Sequence, residues 1–260
     1  MGRYPGVEVA RVSTGEEIVA AVRRSEVSLA EQVSQWESLP YGVAYWSGAF
    51  PVSSEANQLR DVWLADVDGA SAYERAEAWF SERGVVCGRW TAASGQPEEP
   101  VARLLADRGW RRVEMAAWSL ERWDWAQDAA QADIRVLPAR AMPKAFRGTF
   151  ESGGAELAAE RLNDSRIDVF VALRGGEPAG RIGYLQVGDV ARLTEVFVLP
   201  RSRGAGVGRA MAGHVLRLAR RLLPKALVAS APSDDAEAAA FLGRCGFMRR
   251  AVTAHFERGA

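Results

Sequence analysis

Between Val198 and Ala210 the chain reads Val-Leu-Pro-Arg-Ser-Arg-Gly-Ala-Gly-Val-Gly-Arg-Ala, with three glycines and three arginines in close succession. That composition suits an anion. Glycines let consecutive backbone N–H groups converge, and a helix starting behind them adds roughly half a positive charge. Arg201, Arg203 and Arg209 surround the turn with mobile positive charge. The spacing predicts a phosphate-bearing ligand here.

Such a turn works only between a strand and a helix. Leu193-Thr-Glu-Val-Phe-Val198 is β-branched and aromatic and predicts a strand, which Pro200 stops. Arg209 to Leu223 has helical periodicity. A P-loop would need Gly-Lys-Ser/Thr at the helix start, where this chain has Gly208-Arg209-Ala210. A dinucleotide loop would need a third glycine at Arg209. The pattern that fits is Arg-x-x-Gly-x-Gly, Arg203 to Gly208, shortly after a strand ending in Val-x-Pro. This resembles the pyrophosphate loop of the GNAT superfamily of acyl-CoA N-acyltransferases.

The flanking chain extends the resemblance. Ala226 to Ser230 predicts a strand, and Asp234 is placed to cap a helix over 235–244 that Cys245-Gly246 closes. Val252 to Phe256 predicts a last strand, and Ala240-Phe-Leu-Gly-Arg-Cys-Gly-Phe247 is similar to the family's closing segment. Upstream, Asp168–Leu173 and Ala179–Leu185 flank the turn Arg174-Gly-Gly-Glu-Pro178 and predict a hairpin. The likeness covers about residues 130–260.

The resemblance implies direct attack of an amine on an acyl-CoA thioester, with acetyl-CoA as the expected co-substrate and no metal. An alkylamine with a pKa near ~10.4 is protonated at pH 7 and must lose a proton to react. Glu195, on the strand before the turn, is the implied general base; otherwise it faces solvent or pairs with Arg192. The implied oxyanion donor is the Val198 N–H. Phe197 and Val198 would line the pantetheine arm, and Arg203, Gly204, Ala205, Gly206, Val207, Gly208 and Arg209 would hold the pyrophosphate. Two positions depart from the family. Leu242 stands where a Tyr often protonates the leaving thiolate, and Asp235 stands where an Asn often meets pantetheine; Asp235 is kept as a cofactor-side candidate or a first-turn charge. Tyr184 is a substitute acid or an ordinary strand Tyr. A thiolate with pKa near ~8.5 can also leave unaided. Cys245, His214 and His255 are expected to be structural.

The first half lacks the arginine–glycine turn yet echoes the second. Leu104 to Arg112 aligns with Phe241 to Arg249, and Gly109/Gly246 and Arg112/Arg249 share the offset 137. Ahead of Gly109, a strand Val62–Ala65, a helix 72–82, a strand Val85–Cys87 and a helix 100–107 repeat the second half's order. At the cradle position stands Asp66-Val-Asp68, which would repel pyrophosphate. The expected fold is α+β: two GNAT-like mixed-sheet domains in tandem, each a central antiparallel-rich sheet flanked by helices. The first, 1–127, is degenerate and shapes the acceptor pocket; the second, 132–260, is catalytic, with the apolar-poor Gln127–Ala132 between them. All nine Trp lie in the first half, where Trp63 and Trp118 are expected on strands and Trp79 on a helix.

Charge is balanced, with 33 basic and 33 acidic residues, which argues against nucleic acid as a partner. The two cysteines, Cys87 and Cys245, form no disulfide or zinc pattern. No apolar run approaches a membrane span, so a cytoplasmic location is expected. The expected acceptor is a small-molecule primary amine, with a protein amine second. A non-catalytic acyl-CoA sensor is the alternative from another class. The chain is expected as a monomer with a pseudo-dimeric tandem, or as a homodimer.

Overall fold

The structure is a computed structural model describing residues 14–64, 67–122, 133–151 and 153–259. Helix α1 (Gly15–Glu31) leads into strands β1 (Gln35–Leu39), β2 (Gly42–Trp46) and β3 (Gln58–Val62). Helix α2 (Gly69–Glu82), strand β4 (Arg89–Ala92), helix α3 (Glu99–Ala106) and strand β5 (Trp110–Leu120) follow. Strand β6 (Ile134–Pro138) and helices α4 (Pro143–Arg147) and α5 (Ala155–Arg161) precede the β7–β8 hairpin (Ile167–Arg174, Glu177–Val187). Then come β9 (Val190–Val198), α6 (Val207–Leu222), β10 (Ala226–Pro232), α7 (Ala236–Arg244) and β11 (Phe247–Arg258).

Two compact units take their residues across the division expected from sequence. One joins Met1–Ser25 to Ala116–Val252; the other joins Glu26–Met115 to Thr253–Ala260. The expected linker, 127–132, lies outside the described residues. The exchange has a packing cause in each unit. Ile18, Ala21 and Val22 of α1 cover Ala117, Val190, Ala226 and Val228 in the first-named unit. Phe256 packs with Trp90 in the other, where the two stand opposite each other in register. Strands β5 and β11 run several residues beyond the apolar stretches Met115–Leu120 and Val252–Phe256, long enough for each to serve both units.

In the unit built on Ala116–Val252, the strand order is β5-β10-β9-β8-β7-β6. β6 to β9 are antiparallel, and β10 runs parallel to β9. Gly175 and Gly176 turn the β7–β8 hairpin with φ of 59° and 91°, the left-handed pair that a two-residue turn matching strand twist requires. One sheet face packs on α6 through Ile182, Tyr184, Leu193, Met211, Val215 and Leu227.

In the unit built on Glu26–Met115, the order is β1-β2-β3-β4-β11, antiparallel except for the parallel pair β3–β4. Its core gathers Leu59, Ala76, Phe80, Trp90, Leu105 and Trp110. The order β3-α2-β4-α3-β5 repeats β9-α6-β10-α7-β11. Gly109 and Gly246 both take positive φ, 75° and 88°, after the second helix of each copy. Asp61 in β3 and Glu195 in β9 share φ of 51°, each in a strand whose register slips there. The tandem architecture is therefore visible in backbone geometry as well as in element order.

Some expected elements moved. Val85–Cys87 forms no strand: Val86 N–H donates to Pro51 O and Gly88 N–H to Asn57 O, both at 2.9 Å, and β4 begins at Arg89. Gly88 lies so close to Ser54 that a Cβ would sit 2.7 Å from it. The strand expected at Val62–Ala65 is β3, Gln58–Val62, with Trp63 just past its end and 37% exposed. Polar residues hid it: Gln58 and Arg60 are buried, tied to each other at 2.9 Å, with Arg60 paired to Glu26 at 3.0 Å. Trp79 and Trp118 sit on α2 and β5 as expected. Helix α1, strands β1, β2 and β6, and helices α4 and α5 had no counterpart in the sequence reading.

Candidate active site

The arginine–glycine turn lies between β9 and α6. After β9, Pro200–Ser202 makes one 3-10 turn, and Gly204 and Gly206 take φ of 73° and 80°. These left-handed positions bend the backbone so that Val207, Gly208 and Arg209 open α6 with Gly206 as N-cap. Gly208 is needed for closeness rather than conformation: a Cβ there would meet the Phe241 ring at 3.2 Å.

The start of α6, like those of α3, α4 and α5, differs from the side-chain-capped starts of α1, α2 and α7. Thr14 and Glu17 cap α1 reciprocally, each side chain accepting from the other's backbone N–H at 3.2 Å. Asp68 accepts from Ser71 N–H at 2.8 Å to cap α2, and Asp235 from Ala238 N–H at 2.8 Å to cap α7. No side chain caps α6. Its first-turn donors take no side-chain acceptor and lie at the positive end of the helix dipole, an arrangement that suits phosphate. Around it, Arg201 donates to Pro178 O at 3.0 Å, and Arg203 reaches Glu237 at 3.4 Å and Val198 O at 3.5 Å. Arg209 lies in the first turn of α6.

Beside this turn a strand pair opens. β9 and β10 pair only at Val190–Ala226, Ala191–Leu227 and Arg192–Val228. Beyond Arg192, β9 stays on β8 while β10 leaves it. Leu199 N–H donates to Ala179 O at 2.9 Å, so strand alternation turns the Val198 N–H away from β8, toward the opened side. Ala205 and Val207 separate the glycines, and Val207 is buried against the α6 core.

Glu195 sits on the bulge. Arg181 faces Phe197 and Gly183 faces Thr194, so β9 carries one extra residue across this step. The carboxylate does not pair with Arg192, whose Nη1 instead reaches Ser25 Oγ at 3.1 Å. It is held by two guanidinium groups: Arg181 Nε donates to Oε2 at 3.1 Å, and Arg161 Nη1 stands 3.7 Å from Oε1. All three side chains are largely buried. Arg181 also donates to Thr149 O at 2.7 Å and lies over the rings of Phe150 at 3.7 Å and Phe197 at 4.8 Å. Arg161, Arg181, Thr149 and Phe150 were not singled out from sequence. One signal was present: Arg181 is the one charged side chain within the small and apolar run 179–185.

The remaining candidates fall elsewhere. Tyr184 belongs to the α6 face of the sheet, three residues from Arg181 and hence on the opposite face. Its hydroxyl donates to Gln186 at 2.6 Å, and burial pushes its pKa up to about 12, an unfavourable donor for a thiolate. Leu242 is buried in the same core. Asp235, not Asp234, is the N-cap of α7; the carboxylate offered as a pantetheine contact is engaged by the helix itself. Cys245 is buried, which pushes its thiol up to about 12 and leaves it un-nucleophilic. His214 stacks on Phe170 at 4.4 Å, and burial lowers its pKa. His255 pairs with Glu257 at 3.1 Å. Asp66 lies outside the described residues. No described helix is long and apolar enough to cross a membrane.

Residues 133–247 match the model of the acetyltransferase (GNAT) family. A comparison with curated protein sequences finds no match. Among solved structures, the chain is similar to a GCN5-related N-acetyltransferase from Kribbella flavida, at 15% identity and TM-score 0.63 over 93% of this chain and 96% of that one. It is similar to a tandem GNAT protein from the clavulanic acid biosynthesis pathway, at 15% identity and TM-score 0.60 over 94% of each chain. A GCN5-related N-acetyltransferase from Sphaerobacter thermophilus gives 14% identity and TM-score 0.60 over 98% of this chain and 94% of that one. At these identities the likeness is one of fold, and it runs the length of both halves. The chain is thus a tandem of two GNAT-like folds whose second half carries an acetyltransferase domain of the GNAT superfamily, and acyl transfer from acyl-CoA is the general chemistry that comes with it.

Proposed function

We propose that the protein moves an acetyl group from acetyl-CoA to the primary amine of a small molecule. The observation that carries this reading is one juxtaposition: the uncapped start of α6 lies at the mouth of an opened strand pair whose bulge bears Glu195. Pyrophosphate oxygens accept from N–H groups between Gly204 and Arg209, and the pantetheine arm lies along Phe197 and Val198. The Val198 N–H supports the carbonyl oxygen as it gains charge, a contribution of about 3 kcal/mol for such a donor. The amine lone pair attacks the carbonyl carbon, the new N–C bond forms, and the C–S bond breaks with its electrons on sulfur. The thiolate, with pKa near ~8.5, leaves without Tyr184 or Leu242. Glu195, directly or through water, takes the proton from nitrogen, help worth ~10²- to 10⁴-fold. Arg161 and Arg181 fix the carboxylate's orientation.

The second reading is an acyl-CoA sensor without turnover, favoured by the apolar Leu242 at the usual acid's position. Incubation with acetyl-CoA and a panel of small amines, lysine peptides and free peptide N-termini separates the two. Thiol release that requires a small amine supports the proposed reaction. Acetyl-CoA binding without release for any amine supports the sensor, and release with peptides alone moves the acceptor to protein.

A further inference from the structure

The vertex of the opened strand pair carries two buried hydroxyls that the chemistry above does not use. Thr194 Oγ1 and Ser230 Oγ have no hydrogen-bond partner among the described residues. Thr194 is only 9% exposed. Buried hydroxyls are nearly always paired, so two orphans on neighbouring strands point to something outside the chain. Their placement is linked. Arg192 stands opposite Val228 in the last paired step of β9 and β10, and continuing that register puts Thr194 opposite Ser230 where the strands part.

Both hydroxyls are on one face. Leu193 on β9, and Leu227, Ala229 and Ala231 on β10, belong to the core around α6, so Thr194 and Ser230 point to the other side. That is the side of Arg181 and Glu195. On β8 the facing residue is Gly183, where a Cβ would collide with Thr194 Oγ1. An acyl-CoA anchored at the start of α6 and running back along Val198 and Phe197 brings its acyl end toward this vertex.

We propose that Thr194 Oγ1 and Ser230 Oγ bind the acceptor nitrogen, each accepting one N–H. This rests on the acyl-transfer reading and adds to it the two side chains that hold the acceptor nitrogen. A neutral primary amine has two N–H bonds and one lone pair. Two acceptors on the protein hold both N–H bonds and leave the lone pair for the carbonyl carbon; as the N–C bond forms, one of these protons passes through its hydroxyl to Glu195. A secondary amine can satisfy only one hydroxyl and leaves the other buried and unpaired. The vertex therefore selects primary over secondary amines.

The test uses the full chain with acetyl-CoA and a panel of primary amines, each beside its N-methyl counterpart. Thr194→Val and Ser230→Ala remove hydroxyls that have no partner in the protein, so the thermal midpoint should hold or rise. Each should lower kcat/KM for primary amines at least tenfold with unchanged acetyl-CoA affinity. The preference for primary amines should fall at least fivefold, and Thr194→Ser should retain both rate and preference. Wild-type kcat/KM and preference in the double variant would overturn the inference while leaving acyl transfer intact. No thiol release by the wild type with any amine would overturn both.

Discussion

The two copies share the element order β3-α2-β4-α3-β5 and β9-α6-β10-α7-β11, and two of the differences along it bear on ligand binding. In the second copy, β9 and β10 part after Arg192 and Val228; in the first, β3 and β4 stay together to Val62 and Ala92, where Ala93 N–H donates to Val62 O at 3.0 Å. In the second copy, α6 starts on a left-handed glycine with no side-chain cap; in the first, α2 starts on Asp68, which takes a first-turn N–H for itself. The bulge survives in both, with Asp61 and Glu195 at the same φ. The first copy thus keeps the bulged strand but carries a carboxylate cap at the corresponding helix start. A strand pair zipped to its end offers no edge to an extended ligand, and a carboxylate at a helix N-terminus occupies the electrostatic place of a phosphate. In the second copy the start of α6 takes no side-chain cap and β9 has no β10 partner beyond Arg192.

That contrast breaks most sharply at Gly206. Gly206→Asp puts a carboxylate where the phosphate would lie and an L-residue at φ of 80°. CoA affinity should weaken at least about 100-fold in a folded protein, as calorimetry would read. Glu195→Gln is next. It keeps shape and removes basicity, so kcat at pH 7 should fall ~10²-fold with CoA affinity little changed. The deficit should narrow as pH approaches the amine's own pKa; a loss below about threefold at pH 7 would remove Glu195 as the base.

Asp68→Ala sharpens the comparison from the other side. Loss of the α2 cap should cost about 1 kcal/mol, seen as a lowered thermal midpoint, without creating a second CoA site. A smaller effect follows from Glu257 in the first copy's sheet. The hydrogen bond from His255, joined by the Arg89 guanidinium, holds its carboxyl down to about 2, below the usual 4.5. A depressed carboxyl stabilises the fold above its unfolded pKa and loses that contribution as pH falls through its folded one. The midpoint difference between wild type and Glu257→Gln should be full at pH 6 and shrink between pH 4.5 and 2. The smallest expected effect is none: burial pushes both Cys87 and Cys245 up to about 12, so iodoacetamide at pH 7.5 should leave the native protein unmodified.

The second copy was legible because its chemistry is local. Glycines at 204, 206 and 208, the strand ending before Pro200 and the helix after it lie within one short stretch, and the structure keeps that order. The bulge under Glu195 is set by register against β8, which no single stretch of sequence reveals. Arg161 reaches Glu195 from α5, across 34 residues of chain, so its role depends on folding rather than spacing. Strand β3 was misplaced because its buried Gln58 and Arg60 break the apolar alternation. The unit boundaries were hidden for a related reason: α1 reads as an ordinary amphipathic helix, and only its contact with Val190 and Val228 assigns it to the second copy. A fragment starting at residue 130 would expose that cluster, so functional tests belong on the full chain.

The most direct test of the central claim is a calorimetric titration of CoA onto the full chain. One site per chain, lost in Gly206→Asp and kept in Asp68→Ala, is the predicted result. Two sites per chain, or one site that survives Gly206→Asp with unchanged affinity, would contradict it.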